Sequence, residues 1–289
     1  GALENALGYA AATNSIWELE DSSCFLIVSS NMTEEQNVVA VPLKKALQAG
    51  ATLIVIDQRE TELTRYAELW LRPKRGSEAA LISGMLRVII DESLDDHDFL
   101  ADYCEDVDGL RNALWGVDLI QVERITGITK EQIQAAARLF VRTKPASILY
   151  ALETVAPELR SDCVNAIVNL ALVTGNLGKK SAGLYPLFPG ANEQGSKDVG
   201  CSPEYLPGYS PVSDRDANSR FQKACGAEIR SAKGMGIREI ASAIEQGDVK
   251  ALYVIGDSPN FANGELGNFL EAARKLDFLV VQDSFASEL

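Results

Sequence analysis

One unit occurs twice in this chain, once near each end. The first copy runs through Cys24-Phe25-Leu26-Ile27-Val28 and the small polar turn Ser29-Ser30-Asn31. A helical stretch follows to Leu47, then a turn at Ala49-Gly50, and then Leu53 to Ile56 closing on Asp57. The second copy runs through Ala251 to Ile255, Gly256-Asp257-Ser258-Pro259, a helix to Lys275, and Phe278 to Gln282 closing on Asp283. Short apolar strands that lack polar alternation and are separated by helices predict parallel sheets covered on both faces. Such sheets bind ligands beyond the carboxyl ends of their strands. The expected fold class is therefore α/β, with two Rossmann-like three-layer units of mostly parallel sheet related as a pseudo-repeat. Two units predict two similar sites, which suits a paired nucleotide ligand.

The length agrees, since 289 residues make about two domains at about 150 residues each. We place the first α/β unit at 1–190. A pterin-side loop and a second, incomplete unit take 191–289. The net charge of −14 argues against a nucleic-acid partner, because phosphate backbones are held by surplus Lys and Arg. No apolar run reaches the ~20 residues that span a bilayer, so direct membrane insertion is not expected. Cys24, Cys104, Cys163, Cys201 and Cys225 are scattered, odd in number and form no C-x-x-C pair. That pattern predicts reduced thiols and a cytoplasmic location, with an export leader upstream of Gly1 left open. His97, the only histidine, lies in the acidic run Asp95-Asp96-His97-Asp98 and reads as a surface residue at a helix start. A serine-type triad needs a histidine base and has no support.

Between the copies, a third strand at Leu69 to Leu71 leads into Arg72-Pro73-Lys74-Arg75-Gly76-Ser77-Glu78. Three cations before a helix whose expected N-cap is Ser77 form a candidate phosphate site, with a solvated turn as the plain alternative. Residues 83–143 read as helical, and Thr129 to Gln132 has the capping-box pattern. A buried strand at Ser147 to Tyr150 and a helix from Cys163 to Leu172 follow. The stretch from Lys179 to Ser219, rich in Gly, Pro and amides, reads as a long irregular functional loop.

The nucleotide motifs narrow the chemistry. No G-x-G-x-x-G follows the first strand, and no G-x-x-x-x-G-K-[ST] occurs. Nicotinamide dehydrogenases and P-loop NTPases are thus disfavoured. Asp57, at a strand end, is a candidate acceptor for a ribose or for the N1–H and amino group of guanine.

The segments Ala11 to Asp21, Ser29 to Asn31, Leu53 to Arg59, Thr174 to Gly178 and Val280 to Asp283 together resemble the molybdopterin oxidoreductases. The likeness is strongest to formate dehydrogenase catalytic subunits and to the large iron–sulfur subunit of NADH-quinone oxidoreductases. The resemblance implies a bis-molybdopterin guanine dinucleotide cofactor carrying molybdenum or tungsten, with one guanine nucleotide on each unit. It implies Ser29, Asn31, Glu34, Asp57, Arg59, Gly76 and Glu78 for the first nucleotide, and Gly256, Ser258, Gln282 and Asp283 for the second. Asn192 and Gln194 match a loop near the pterins.

The same resemblance places a four-cysteine 4Fe–4S segment and the metal-ligating cysteine or selenocysteine before Gly1, with a further domain after Leu289. The chain is then a fragment with no catalytic or metal-ligating residue of its own. Its expected partners are iron–sulfur or NADH/quinone-linked electron-transfer subunits. There are departures. Ser29 stands where glycine is usual, and Met32 and Gln58 stand where proline is usual, so the first loop is expected to differ in shape. Phe188 stands where formate dehydrogenases carry an arginine. An electron-transfer scaffold without active molybdenum is the main rival, and a stand-alone nucleotide-binding module is the second. Five scattered cysteines cannot supply a Cys₄ cluster, so the chain alone is expected to be colourless and redox-silent. An iron–sulfur absorbance band in anaerobically prepared protein would falsify this.

Overall fold

The computed structural model describes residues 2–152, 154–188, 192–255 and 265–284. It divides into two compact units, Gly1–Glu193 and Gln194–Leu289. The first contains α1 (Ala2–Leu7), β1 (Cys24–Val28), α2 (Met32–Glu35), α3 (Asn37–Gln48), β2 (Thr52–Ile56), β3 (Leu69–Leu71) and α4 (Glu78–Asp91). It continues with α5 (His97–Tyr103), α6 (Val107–Trp115), α7 (Leu119–Thr126), α8 (Lys130–Arg142), β4 (Ala146–Tyr150), α9 (Pro157–Val173) and β5 (Gly183–Pro186).

The five strands form one parallel sheet in the order β3-β2-β1-β4-β5. β1 is central, with Val28 level with Ile56 on one side and Tyr150 on the other. All five β1 side chains are buried, and alternate residues enter two different cores. Cys24, Leu26 and Val28 join Leu81, Met85, Phe140 and Ile167 from α4, α8 and α9. Phe25 and Ile27 join Ala40, Leu43 and Ala46 from α3. Helices therefore cover both faces, which is why the strands carry no polar alternation. The order reverses beside β1. The chain steps outward through β2 and β3, then returns through α4 to α8 to lay β4 on the other side, so the switch point of the strand order, where sheets of this kind receive ligands, falls between β1 and β4.

Helix boundaries follow local signals. The helical stretch expected over 83–143 is α4 to α8, broken by capped turns. Thr129 Oγ1 accepts from the Gln132 N–H at 3.3 Å, and Gln132 Oε1 accepts from the Thr129 N–H at 3.1 Å. His97 is exposed at the start of α5, with Nδ1 3.0 Å from the Asp95 carboxylate. β5 corrects the expectation of an irregular segment after Gly178. A four-residue strand that begins with glycine and ends with proline carries little strand signal. Gly183 is needed because a Cβ there would come within 2.4 Å of the Thr13 hydroxyl and 2.3 Å of the Asn14 side chain. Thr13 pairs along this edge, its N–H donating to the Leu184 carbonyl at 3.0 Å.

The second unit takes in most of α10 (Glu193–Asp198), the antiparallel pair β6 (Tyr205–Leu206) and β7 (Ser210–Pro211), α11 (Arg215–Cys225) and α12 (Ile237–Gln246). β8 (Ala251–Ile255), α13 (Glu265–Ala273) and β9 (Phe278–Gln282) complete it, with β8 and β9 parallel. This is the expected strand–helix–strand repeat, but its coverage differs. Leu252, Val254, Leu279 and Val281 are half-buried, whereas Tyr253, Ile255, Phe278 and Val280 on the opposite face are exposed. Leu26→Ala in β1 should cost about 2–5 kcal/mol of stability. Phe278→Ser should stay within about 0.5 kcal/mol while lowering the fluorescence of an apolar dye such as ANS. Urea unfolding of both variants checks the pair, and a large loss from Phe278→Ser would mean that this face is covered.

Candidate functional site

The carboxyl edge of the first sheet begins where β1 ends. Ser29 turns the chain with φ +49, a left-handed conformation that glycine takes without strain and serine takes at a cost. Its N–H donates to the Ile56 carbonyl at 2.8 Å, folding the turn over β2. Although serine replaces the usual glycine, the backbone here keeps a left-handed turn. Asn31 follows at the start of α2, half-buried, its side-chain oxygen accepting from the Thr33 hydroxyl at 3.3 Å. Glu34 is exposed.

Asp57 leaves β2 with only 1% of its surface exposed. Arg59 accounts for that burial, because Asp57 Oδ1 accepts from its backbone N–H at 2.8 Å and its Nε at 3.2 Å, and Oδ2 from its Nη2 at 3.2 Å. The guanidinium, with its side chain 39% exposed, also lies 3.8 Å from Glu35. Asp57 thus holds Arg59 at the edge, and its own carboxylate has little capacity left. The Asp57 carbonyl accepts from Trp70 Nε1 at 2.9 Å, tying β2 to β3.

The next turn differs from the sequence expectation in one respect. Ser77 stands at the N-cap position of α4, but its hydroxyl donates back to the Lys74 carbonyl at 2.6 Å and caps no helix N–H. Gly76 has φ +82, and a Cβ there would meet Leu159 at 3.0 Å. Arg72, Lys74 and Arg75 donate to the carbonyls of Gln58, Arg124 and Thr154. Glu78 opens α4 with 1% exposure, and Gln58 Nε2 donates to its Oε1.

Among the described residues, seven side-chain oxygens are buried without a hydrogen-bond partner. Six of them, on Ser29, Ser30, Gln36, Thr61, Glu78 and Thr154, lie in segments that follow β1, β2, β3 or β4; Ser181 precedes β5. Buried oxygens are normally paired, so six unpaired ones in the segments that leave the carboxyl ends of the strands stand out. Sequence reasoning missed Ser30, Gln36, Gln58, Thr61 and Thr154. Ser30 and Gln58 adjoin residues it chose; Gln36 and Thr154 carried no signal. Cys163, beneath this edge, has its thiol pushed up to about 12, first by burial and then by the charge of Glu78. It is neither a nucleophile nor a ready metal ligand at neutral pH.

The remaining expected residues are less gathered. Asn192, exposed, has φ +61. Gln194 donates to Asp198 at 2.9 Å and to the Tyr209 hydroxyl at 2.6 Å. Gln282, the last residue of β9, accepts from the Tyr253 hydroxyl, and Asp283, just after it, accepts from the Ser284 N–H at 2.6 Å; both are exposed. Gly256 and Ser258 lie outside the described residues. The Phe188 carbonyl accepts from Gln36 Nε2 at 3.2 Å.

Residues 3–289 match the family described as molybdopterin oxidoreductase. The F420-dependent formate dehydrogenase subunit alpha of Methanocaldococcus jannaschii is 34% identical over 282 residues, which cover 97% of this chain and 41% of that protein. Formate dehydrogenase H of Escherichia coli is 33% identical over 287 residues, covering 99% and 40%. This chain spans about two fifths of the length of these relatives. Among solved structures, acetylene hydratase from Pelobacter acetylenicus shares the fold, with a TM-score of 0.67 at 22% identity over 98% of this chain and 41% of that one. Coverage of nearly the whole sequence, at identities above 30%, settles the relationship: the chain belongs to the molybdopterin oxidoreductase family.

Proposed function

We propose that this chain is the cofactor-holding part of a molybdopterin-dependent oxidoreductase of the formate dehydrogenase type, and that each unit receives one guanine nucleotide of a bis-molybdopterin guanine dinucleotide. The observation that carries this reading is the set of unpaired buried oxygens on the carboxyl edge of the first sheet. The names of the relatives support the reaction class. The bound cofactor supplies the redox chemistry, and the protein supplies binding and orientation.

At the first nucleotide, Ser29, Asn31 and Glu78 offer hydrogen-bonding groups, and Gly76 lets the backbone approach closely. Asp57 acts through Arg59, fixing a cation 3.8 Å from Glu35, and Glu34, next in the chain to Glu35, is assigned to the same nucleotide. Gly256, Ser258, Gln282 and Asp283 are assigned to the second nucleotide. Asn192 and Gln194 are assigned to the pterin side. Electrons pass to iron–sulfur or NADH/quinone-linked partner subunits, and the complete protein works in the cytoplasm.

Calorimetric titration of GDP tests the first site. Asp57→Ala should lose about 1–3 kcal/mol of affinity, since it releases Arg59 and removes a charged acceptor. Equal affinities for the two proteins would reject the role.

Phe188 bears on the substrate. A formate anion beside the metal needs a fixed cation, and a guanidinium is suited to paired hydrogen bonds with a carboxylate. Phe188 offers none. Lys179 lies 3.5 Å from Asp96 and Lys180 lies 2.9 Å from Asp21, so both are committed elsewhere. The complete, metal-loaded protein should therefore oxidise formate slowly, and Phe188→Arg should raise the rate of formate-dependent viologen reduction. Rapid wild-type turnover would overturn this expectation, and no turnover by either protein would favour the electron-transfer scaffold.

A further inference from the structure

Glu78 is an unusual group to bury at a place that looks made for phosphate. Arg72, Lys74 and Arg75 precede α4, and a helix N-terminus attracts anions. Two facts oppose a phosphate at that point. The cations donate to backbone carbonyls, with Nε of Arg72 2.9 Å from the Gln58 oxygen, Nζ of Lys74 3.0 Å from that of Arg124, and Nε of Arg75 3.1 Å from that of Thr154. The first residue of the helix is itself a carboxylate, which already complements the helix dipole. A second anion beside this carboxylate would be repelled, and more strongly at a partly desolvated protein edge than in water.

The carboxylate is also asymmetric. Oε1 accepts from Gln58 Nε2, whereas Oε2 is buried and has no partner among the described residues. Gln58 is held on both sides. Its carbonyl accepts from Arg72, whose guanidinium lies 5.4 Å from the centre of the Trp70 ring, and Trp70 Nε1 donates to the carbonyl of the preceding Asp57. A fixed amide therefore holds Oε1 and orients the carboxylate, and Oε2 is the buried acceptor left in need of a donor. A phosphate oxygen, itself an acceptor, does not meet that need.

We propose that Gln58 is a positioning residue: it holds the Glu78 carboxylate by one oxygen so that the other receives a hydrogen-bond donor of the nucleotide, a ribose hydroxyl or a base N–H, and not a phosphate. This rests on the nucleotide reading above.

The test is calorimetric titration of GDP, 2′-deoxy-GDP and IDP into wild type, Gln58→Leu, Glu78→Ala and the double variant, with the thermal midpoint of each. Gln58→Leu should weaken GDP binding roughly tenfold. The same substitution should change nothing further in the Glu78→Ala background, because its effect passes through Glu78. A wild-type deficit for 2′-deoxy-GDP identifies the ribose, and one for IDP identifies the base amino group. Fully additive losses, unchanged GDP affinity in Gln58→Leu, or a fall in thermal midpoint alone would each overturn the role of Gln58. Tighter GDP or pyrophosphate binding by Glu78→Ala would place a phosphate at this carboxylate and overturn the donor assignment. Failure of the wild type to bind GDP would remove the nucleotide reading itself, a result distinct from the others.

Discussion

The burial of β1 on both faces is the constraint on which the first unit depends. Its five residues feed two cores of different shape, one filled by Cys24, Leu26 and Val28 and the other by Phe25 and Ile27. Where both faces are apolar, hydrophobic alternation alone does not pin the register, because a slip exchanges one apolar set for another. Volume and buried polar pairing do so instead. Near the amino end of the sheet, the Ser22 hydroxyl donates to the Ser181 carbonyl at 2.6 Å and lies 2.8 Å from the Ser147 hydroxyl, all three residues being buried. With the strand fixed in this way, its only exit is the polar turn at Ser29, and the reversal of strand order puts that turn beside the end of β4.

The polar groups on that edge do a different kind of work from the ion pairs on the surface. Lys180 and Asp21, with side chains 76% and 62% exposed, form a solvated pair that adds little to stability. Asp57 is 1% exposed and spends three hydrogen bonds on one arginine. Its value lies in where it keeps Arg59. Desolvating a carboxylate costs several kcal/mol, so such a group persists where orientation matters more than stability. The orphaned hydroxyls of Ser29 and Ser30 follow the same logic, since apolar residues there would remove the unpaired oxygens.

Much of this was legible in the sequence for identifiable reasons. The strands around Leu26, Ile54 and Ile148 were readable because a two-faced parallel strand must be continuously apolar, and Thr129 because a capping box is local. β5 was not readable, since a strand of four residues bounded by Gly183 and Pro186 depends on distant partners, β4 on one side and Thr13 on the other. Chain position made Asp57 legible as a residue at a strand end, whereas Ser29 was singled out only through the family resemblance. Ser77 resembled an N-cap in sequence, yet its hydroxyl turned to Lys74, and that competition between two backbone partners has no sequence signature. Gln58 could not be found from residue type, because its importance lies in a contact with Glu78, twenty residues on.

The two units share a strand–helix–strand plan but differ in enclosure, and the difference has a physical cause. In the first, three additional strands and helices on both sides remove the central pair, β1 and β2, from water. In the second, β8 has one parallel neighbour among the described residues, and half of its side chains face outward with Tyr253 and Ile255 among them. A parallel pair has evenly spaced but slanted hydrogen bonds and is slightly weaker per residue than an antiparallel one, so it relies on burial of both faces. The firmer packing therefore falls to the first unit, where Ser29, Arg59 and Glu78 stand at the edge of a sheet covered on both faces. Gln282 and Asp283 leave a strand whose neighbours are still half-exposed, so their positions are less constrained by packing than those of their counterparts in the first unit.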